Sequence, residues 1–151
     1  MKTSDIAKQA VRLGGQKALE FFTNRDQLNV DVKGPQDYVS EADRRVEAIM
    51  IEFLQSHFPD DGFLGEESRE IKQAKQWVID PIDGTTNFIR GLPYFCTTLA
   101  LVESERVIGG WIFDPTRDEL YEANLGYGAY CNDQRLQPNW RHSFSTGLVG
   151  I

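Results

Sequence analysis

The sequence has little cysteine and histidine, more acid than base, and no long apolar run. Its two cysteines, Cys96 and Cys131, stand in aromatic surroundings and outside any CxxC pair. They read as reduced, partly buried thiols, which sets the expectation of a cytoplasmic protein. The two histidines, His57 and His142, read as a helix-end residue and a loop residue, and neither is a nucleophile candidate. Lysine and arginine total 16 against 23 acids, a net charge of −7. Direct nucleic-acid binding and adhesion to anionic membranes both need a basic face, so both are excluded as expectations. The chain begins with a polar stretch that leads into an amphipathic segment, with no apolar signal core. Nothing approaches the apolar length of a membrane span. There are no internal repeats and no low-complexity tract.

What is present is ordinary globular composition, 40% hydrophobic and 26% charged over 151 residues, about one domain's worth. Ile6, Ala10, Leu13, Leu19 and Phe22 recur with a helical period, predicting a helix from Thr3 to Phe22 that Gly14 and Gly15 weaken. Leu28 to Lys33 alternates as a strand does, and Gly34-Pro35 breaks it. Val46, Ile49, Met50, Phe53, Leu54 and Phe58 predict a helix from Ser40 to Phe58, with Ser40 and Asp43 as a capping pair. Phe63-Leu64-Gly65 and Trp77-Val78-Ile79 read as short strands, with a solvated loop or short helix from Arg69 to Gln76. Residues 97–103, 107–113 and 119–123 then read as a strand meander, followed by a turn at Gly126-Tyr127-Gly128. Helices first and antiparallel strands later predict an α+β layered domain.

Three acidic stretches carry the candidate chemistry. They are Asp37-Tyr38-Val39-Ser40-Glu41-Ala42-Asp43, Gly65-Glu66-Glu67-Ser68 and Asp80-Pro81-Ile82-Asp83-Gly84-Thr85-Thr86-Asn87-Phe88. In the third, an apolar strand delivers Asp80 to its end, and Pro81 is expected to stop the ladder and stiffen the turn. Asp83 follows three positions later, so both carboxylates can converge. Carboxylates so close repel unless a cation neutralises them, and hard oxygen ligands suit Mg²⁺. The Ile82 carbonyl is a further candidate oxygen. Gly84 allows close backbone approach, and a helix starting at Thr85 would turn its first amides toward an anion. Each stretch alone also has a plain structural reading: Asp-Pro and Asp-Gly are common turn formers, Glu66-Glu67 suits a solvated loop, and Asp43 suits a helix N-terminus.

Taken together and in order, residues 33–43, 65–68 and 80–88 resemble the three N-terminal signatures of the inositol monophosphatase family. The Asp-Pro-Ile-Asp-Gly-Thr-Thr-Asn-Phe run is the most specific of them. Phe113-Asp114-Pro115, Glu119-Leu120-Tyr121 and Gly126-Tyr127-Gly128-Ala129 resemble later family segments, so the likeness extends from Thr3 to Ile151. It implies the N-terminal domain of a layered αβαβα sugar-phosphatase fold, with two helices on a mostly antiparallel sheet. Residues 1–140 would form the metal-binding domain, and residues 141–151 would begin a C-terminal α/β domain. It implies Mg²⁺ held by Glu66, Asp80, the Ile82 carbonyl and Asp83, with Asp80 bridging two ions and Glu67 engaged more weakly. Glu66 and Thr85 would orient and help deprotonate the attacking water, and Asp43 would pair with Thr85. Lys33 would lie near the site, and Glu66, Asp83, Gly84 and Thr85 would meet the substrate. The implied reaction is hydrolysis of a small phosphorylated polyol or sugar, inositol-1-phosphate first, and the implied assembly is a homodimer.

The departures are as informative. Family members are about twice as long, and their later half supplies another aspartate in a Trp-Asp motif. Here Trp140 is followed by Arg141. The chain also ends on Leu148-Val149-Gly150-Ile151, an apolar run like the first strand of something cut away, so a fragment with weak or no turnover is expected. Histidinol phosphate and nucleotide bisphosphates are alternative substrates. A non-catalytic adaptor that binds a protein partner, or a fragment that only binds metal, are alternative roles. The intact acidic positions favour the enzyme.

Overall fold

A computed structural model describes residues 3–25, 35–67 and 70–137, with side chains of 35–40 outside the description. The strand expected at 28–33, Lys33, His142 and the expected start of a second domain at 141–151 lie outside the described residues. Three helices and a seven-stranded sheet make an α+β domain. The order is α1 (Thr3–Asn24), α2 (Pro35–His57), β1 (Gly62–Leu64), β2 (Lys75–Asp83), α3 (Thr85–Ile89), β3 (Cys96–Glu103), β4 (Arg106–Asp114), β5 (Glu119–Asn124), β6 (Gly128–Cys131) and β7 (Gln134–Arg135). The strands follow one another across the sheet in chain order. β1 pairs with β2 in parallel, and every later pair is antiparallel.

The layering follows from the sequence periods. Alternate residues of the strands face the helices, and Trp77, Ile79, Leu99, Leu101, Trp111, Phe113 and Leu120 are buried there. α1 presents Ile6, Ala10, Val11 and Phe22 to that face, and α2 presents Val46, Met50 and Leu54. The Trp77 and Trp111 rings lie 5.9 Å apart at the centre. Burial of side chains this size contributes about 1.5–3 kcal/mol each before entropy is counted. The opposite sheet face is more open, and Ile112 and Tyr121 stand exposed on it.

Gly14 and Gly15 do not interrupt α1; both are buried. A Cβ on Gly14 would overlap Met50 Sδ, and one on Gly15 would overlap the Phe113 ring. The helix accepts the propensity cost of glycine, about 1 kcal/mol each, because close approach to α2 and the sheet requires it.

Three boundaries differ from expectation. α2 starts at Pro35, five residues before Ser40, so Ser40 lies inside the helix and does not cap it with Asp43. Proline is accepted at a helix start because its missing N–H has no intrahelical partner there and its φ is already helical. β2 does not stop at Pro81; it continues to Asp83. Its register steps from Asp80↔Thr98 to Asp83↔Cys96, one extra residue on β2, and Pro81 is taken up in that bulge, where it has no ladder N–H to lose. The meander also continues into β6 and β7, joined through Asn132 and Asp133, both at positive φ (46° and 64°), the pattern of a hairpin turn that matches strand twist.

Candidate active site

The acidic stretches meet at one end of the sheet, where the last residues of β2, the turn after β1 and the first half of α2 come together. Trp77 and Ile79 are buried toward the helices, which leaves Asp80 on the alternate side of the strand and half-buried. The bulge at Pro81 re-aims the chain. The Pro81 carbonyl accepts a buried hydrogen bond from Thr97 Oγ1 at 2.8 Å, which pins the bulge to β3. The Ile82 amide donates to the Asp80 carboxylate. Asp80 Oδ1 is buried and has no hydrogen-bond partner. Burial first, then the charges of Asp83 and Glu66, push the Asp80 carboxyl up to about 6 despite the Ile82 bond.

Asp83 is exposed, and Cys96 Sγ lies 3.7 Å from its Oδ2. Burial, then the Asp83 carboxylate beside it, raise the Cys96 thiol to about 12, so this cysteine is a protonated neighbour and no nucleophile. Gly84 takes φ 94° and ψ 33°, the left-handed region, and heads α3. A Cβ there would sit 3.0 Å from the Tyr94 carbonyl. The Asn87 and Phe88 amides donate back to the Gly84 carbonyl at 2.9 and 3.0 Å. Phe88 locks α3 into an aromatic cluster, its ring 5.5 Å from Phe22 and 5.0 Å from Phe95. Thr85 Oγ1 donates to the Ile82 carbonyl at 3.0 Å. That proton therefore goes to Ile82 rather than to Asp43, and the hydroxyl oxygen keeps its lone pairs for another donor.

Across from β2, α2 contributes Asp43, only 7% exposed. Its Oδ1 is buried without a partner. Burial, then Glu66, Glu67, Asp80 and Glu47, push its carboxyl up to about 7. Glu66 and Glu67 sit in the bend after β1, and Glu66 acts electrostatically on both Asp43 and Asp80. The structure thus brings Asp43, Glu66, Asp80, Ile82, Asp83, Gly84 and Thr85 into one region. His57, at the end of α2, lies beside Phe53 and Ser56 and has no part in it.

One member was not picked out from the sequence. Glu47 is 2% exposed, and its Oε2 accepts the Glu67 amide at 2.9 Å. The signal was available: residues 43, 46, 47, 50 and 54 form one helical stripe, and a glutamate on the buried side of such a stripe calls for an explanation.

Among the described residues, no three acid, histidine or cysteine side chains are gathered into a preformed metal-ligand group. The acids nonetheless fit a hard divalent cation. They supply oxygen donors only, burial and neighbouring negative charge raise the carboxyls of Asp43 and Asp80, and each of these two keeps a buried oxygen with nothing to bond. Repulsion and unmet oxygens of this kind are removed by a small cation.

Comparison with known proteins agrees with the geometry. The profile of the inositol monophosphatase family matches residues 2–150. An inositol-1-monophosphatase of Rhizobium meliloti is 43% identical over 149 residues, 97% of this chain and 56% of the relative. Nus factor SuhB of Pasteurella multocida is 39% identical over 136 residues, 88% of this chain and 51% of the relative. The crystal structure of extragenic suppressor protein suhB from Bartonella henselae superposes with a TM-score of 0.81 at 38% identity, covering 91% of this chain and 55% of that one. The chain spans about half the length of the curated relatives it matches. No described helix is long and apolar enough to cross a membrane. A family profile that covers almost every residue, together with acids that converge where that family's signatures lie, makes this chain a member of the inositol monophosphatase family.

Proposed function

We propose that the chain forms the Mg²⁺-binding part of a phosphatase for small phosphate monoesters, with inositol-1-phosphate as first substrate. The observation that carries this reading is the pair of buried, unpartnered oxygens, Asp43 Oδ1 and Asp80 Oδ1, within a cluster of like charges. Glu66, Asp80, the Ile82 carbonyl and Asp83 would hold the metal. When bound, Mg²⁺ offers positive charge to the phosphoryl oxygens and to the water beside them.

The chain's own groups then have distinct tasks. Thr85 donates its hydroxyl hydrogen bond to the Ile82 carbonyl, so its oxygen can accept a hydrogen bond from the attacking water, and Glu66 can take that water's proton. Gly84 has no side chain to obstruct the phosphate, and its turn is fixed by bonds from Asn87 and Phe88. Asp43 lies close enough to Glu66 and Asp80 to feel their charge, and offers its unpartnered Oδ1 as a further oxygen there. The water oxygen bonds to phosphorus as its proton passes to Glu66, the ester P–O bond breaks, and the departing oxygen takes a proton from solvent water; no phosphoenzyme is required. Lys33, outside the described residues, would act near the metal site. A homodimer and a cytoplasmic location complete the reading.

Relatives named Nus factor SuhB support a second reading, a family member that works by binding a protein partner. Phosphate release from inositol-1-phosphate, with and without Mg²⁺, tests the enzyme reading in wild type and Asp80→Asn. Mg²⁺-dependent release lost in Asp80→Asn supports it. Release that ignores Mg²⁺ or survives the substitution overturns it.

A further inference from the structure

Glu47 is a fully buried carboxylate to which the proposed reaction gives no task. It lies one helical turn after Asp43 on the inward side of α2, where a hydrophobic residue would ordinarily pack. Its Oε2 takes the Glu67 amide at 2.9 Å. A Cβ built on Gly65 would overlap the Glu47 carboxyl carbon and both oxygens. The carboxylate therefore occupies the space where a Gly65 side chain would be, and grips the turn two residues further on. Glu66 is the residue between these two contacts.

We propose that Glu47 is a positioning residue: it clamps the Gly65–Glu67 turn against α2 and so aims the Glu66 carboxylate at Asp80. The proposal rests on the metal-site reading above. β1 is only three residues long, and Phe63 and Ile71 exchange backbone hydrogen bonds at 2.8 Å that tie the base of the segment, while the Glu67 amide nearer its tip is held by Glu47. A buried hydrogen bond to a charged acceptor is stronger than a neutral one, and a ligand on a turn is only as well placed as the groups that hold the turn. The same contact explains why position 65 is glycine: any side chain there would displace the carboxylate or lift the turn away from α2.

The test uses Mn²⁺ as the probe, its binding to the full chain followed by electron paramagnetic resonance, with amide hydrogen exchange at Glu67 as a metal-free readout. Glu47→Ala is expected to weaken Mn²⁺ binding by about 10- to 100-fold, the range for groups that orient metal ligands, and to release Glu67 amide protection while protection in β3 and β4 stays. Glu47→Gln keeps an acceptor for the amide and should recover most of the loss. Gly65→Ala should reproduce the Glu47→Ala defect. In the double variant the added methyl finds the space vacated by the carboxylate, so binding should be no weaker than in Glu47→Ala. Should Glu47→Ala not fold, Gly65→Ala makes the same measurement. Asp80→Asn separates the two claims. If it binds Mn²⁺ like wild type, the metal site fails and the positioning role with it. If it loses Mn²⁺ while Glu47→Ala, or Gly65→Ala in its place, binds normally with Glu67 still protected, only the positioning role is overturned. Glu47→Gln as weak as Glu47→Ala would likewise contradict a role carried by the hydrogen bond.

Discussion

The two ends of α2 meet very different surroundings. Toward its C-terminus, Met50 and Leu54 enter an apolar layer shared with α1 and the sheet, where even Trp77 Nε1 has a partner, Asp61 Oδ2 at 2.9 Å. Toward its N-terminus, Asp43 and Glu47 enter a layer of other acids, where buried oxygens lack partners and pKa values rise. The first region is satisfied as it stands. The second is not, and local dissatisfaction of this kind is where function is expected. Substitutions in the two regions should therefore act with opposite sign on the metal-free protein.

The largest expected effect lies in the satisfied region. Trp77→Ala leaves a cavity beside Trp111 and removes the indole donor to Asp61, which keeps Lys75 at 3.2 Å, and should lower the free energy of unfolding by about 3–5 kcal/mol, measured by urea denaturation. Gly15→Ala is next. Its methyl would meet the rigid Phe113 ring, and overpacking costs of about 1–3 kcal/mol outweigh the ~1 kcal/mol that alanine gains in a helix. The same assay should show a net loss.

The acidic region gives the contrast. Asp43 and Asp80 have folded pKa values of about 7 and about 6, both above the unfolded value of about 3.9. A raised carboxyl pKa stabilises the fold below the unfolded value, and that contribution is lost as pH rises through the folded value. Without divalent cation, the thermal midpoint should therefore fall between pH 4 and pH 7. Asp43→Asn should flatten that fall and leave the protein more stable than wild type at pH 7. A midpoint that rises over this range would contradict the shifts. The smallest effect belongs to the exposed Lys17–Glu20 pair on α1. Lys17→Ala should change stability by less than about 0.5 kcal/mol.

Much of this contrast was legible in the chain. The α1 stripe, the α2 stripe and the strand alternation from Thr97 onward each carried enough period to place the layers. What was lost depends on residues whose local signal has two meanings. Pro35 and Pro81 both read as interruptions, yet one opens α2 and the other sits in a bulge, and only the tertiary position of their missing N–H distinguishes the cases. Ser40 looked like a cap because a hydroxyl followed by an acid is the same pattern inside a helix as at its start. β6 and β7 are four and two residues long, too short for a period to declare itself. Glu47 carries no signal of its own, and only its place in the stripe of residues 43, 46, 47, 50 and 54 marks it as facing inward. Asp80 and Asp83 were legible as a pair, but their partners Asp43 and Glu66 come from other elements, and linear spacing could not bring them together without the family resemblance.

The central claim is that the acids at this end of the sheet are a divalent-cation site. It is tested most directly by titrating Mg²⁺ into wild type and Asp80→Asn at pH 7 while following the thermal midpoint. The account predicts that wild type starts lower than Asp80→Asn and rises with Mg²⁺ as binding would require, while Asp80→Asn stays flat. A wild-type midpoint unmoved by Mg²⁺, or an equal rise in both proteins, would contradict it.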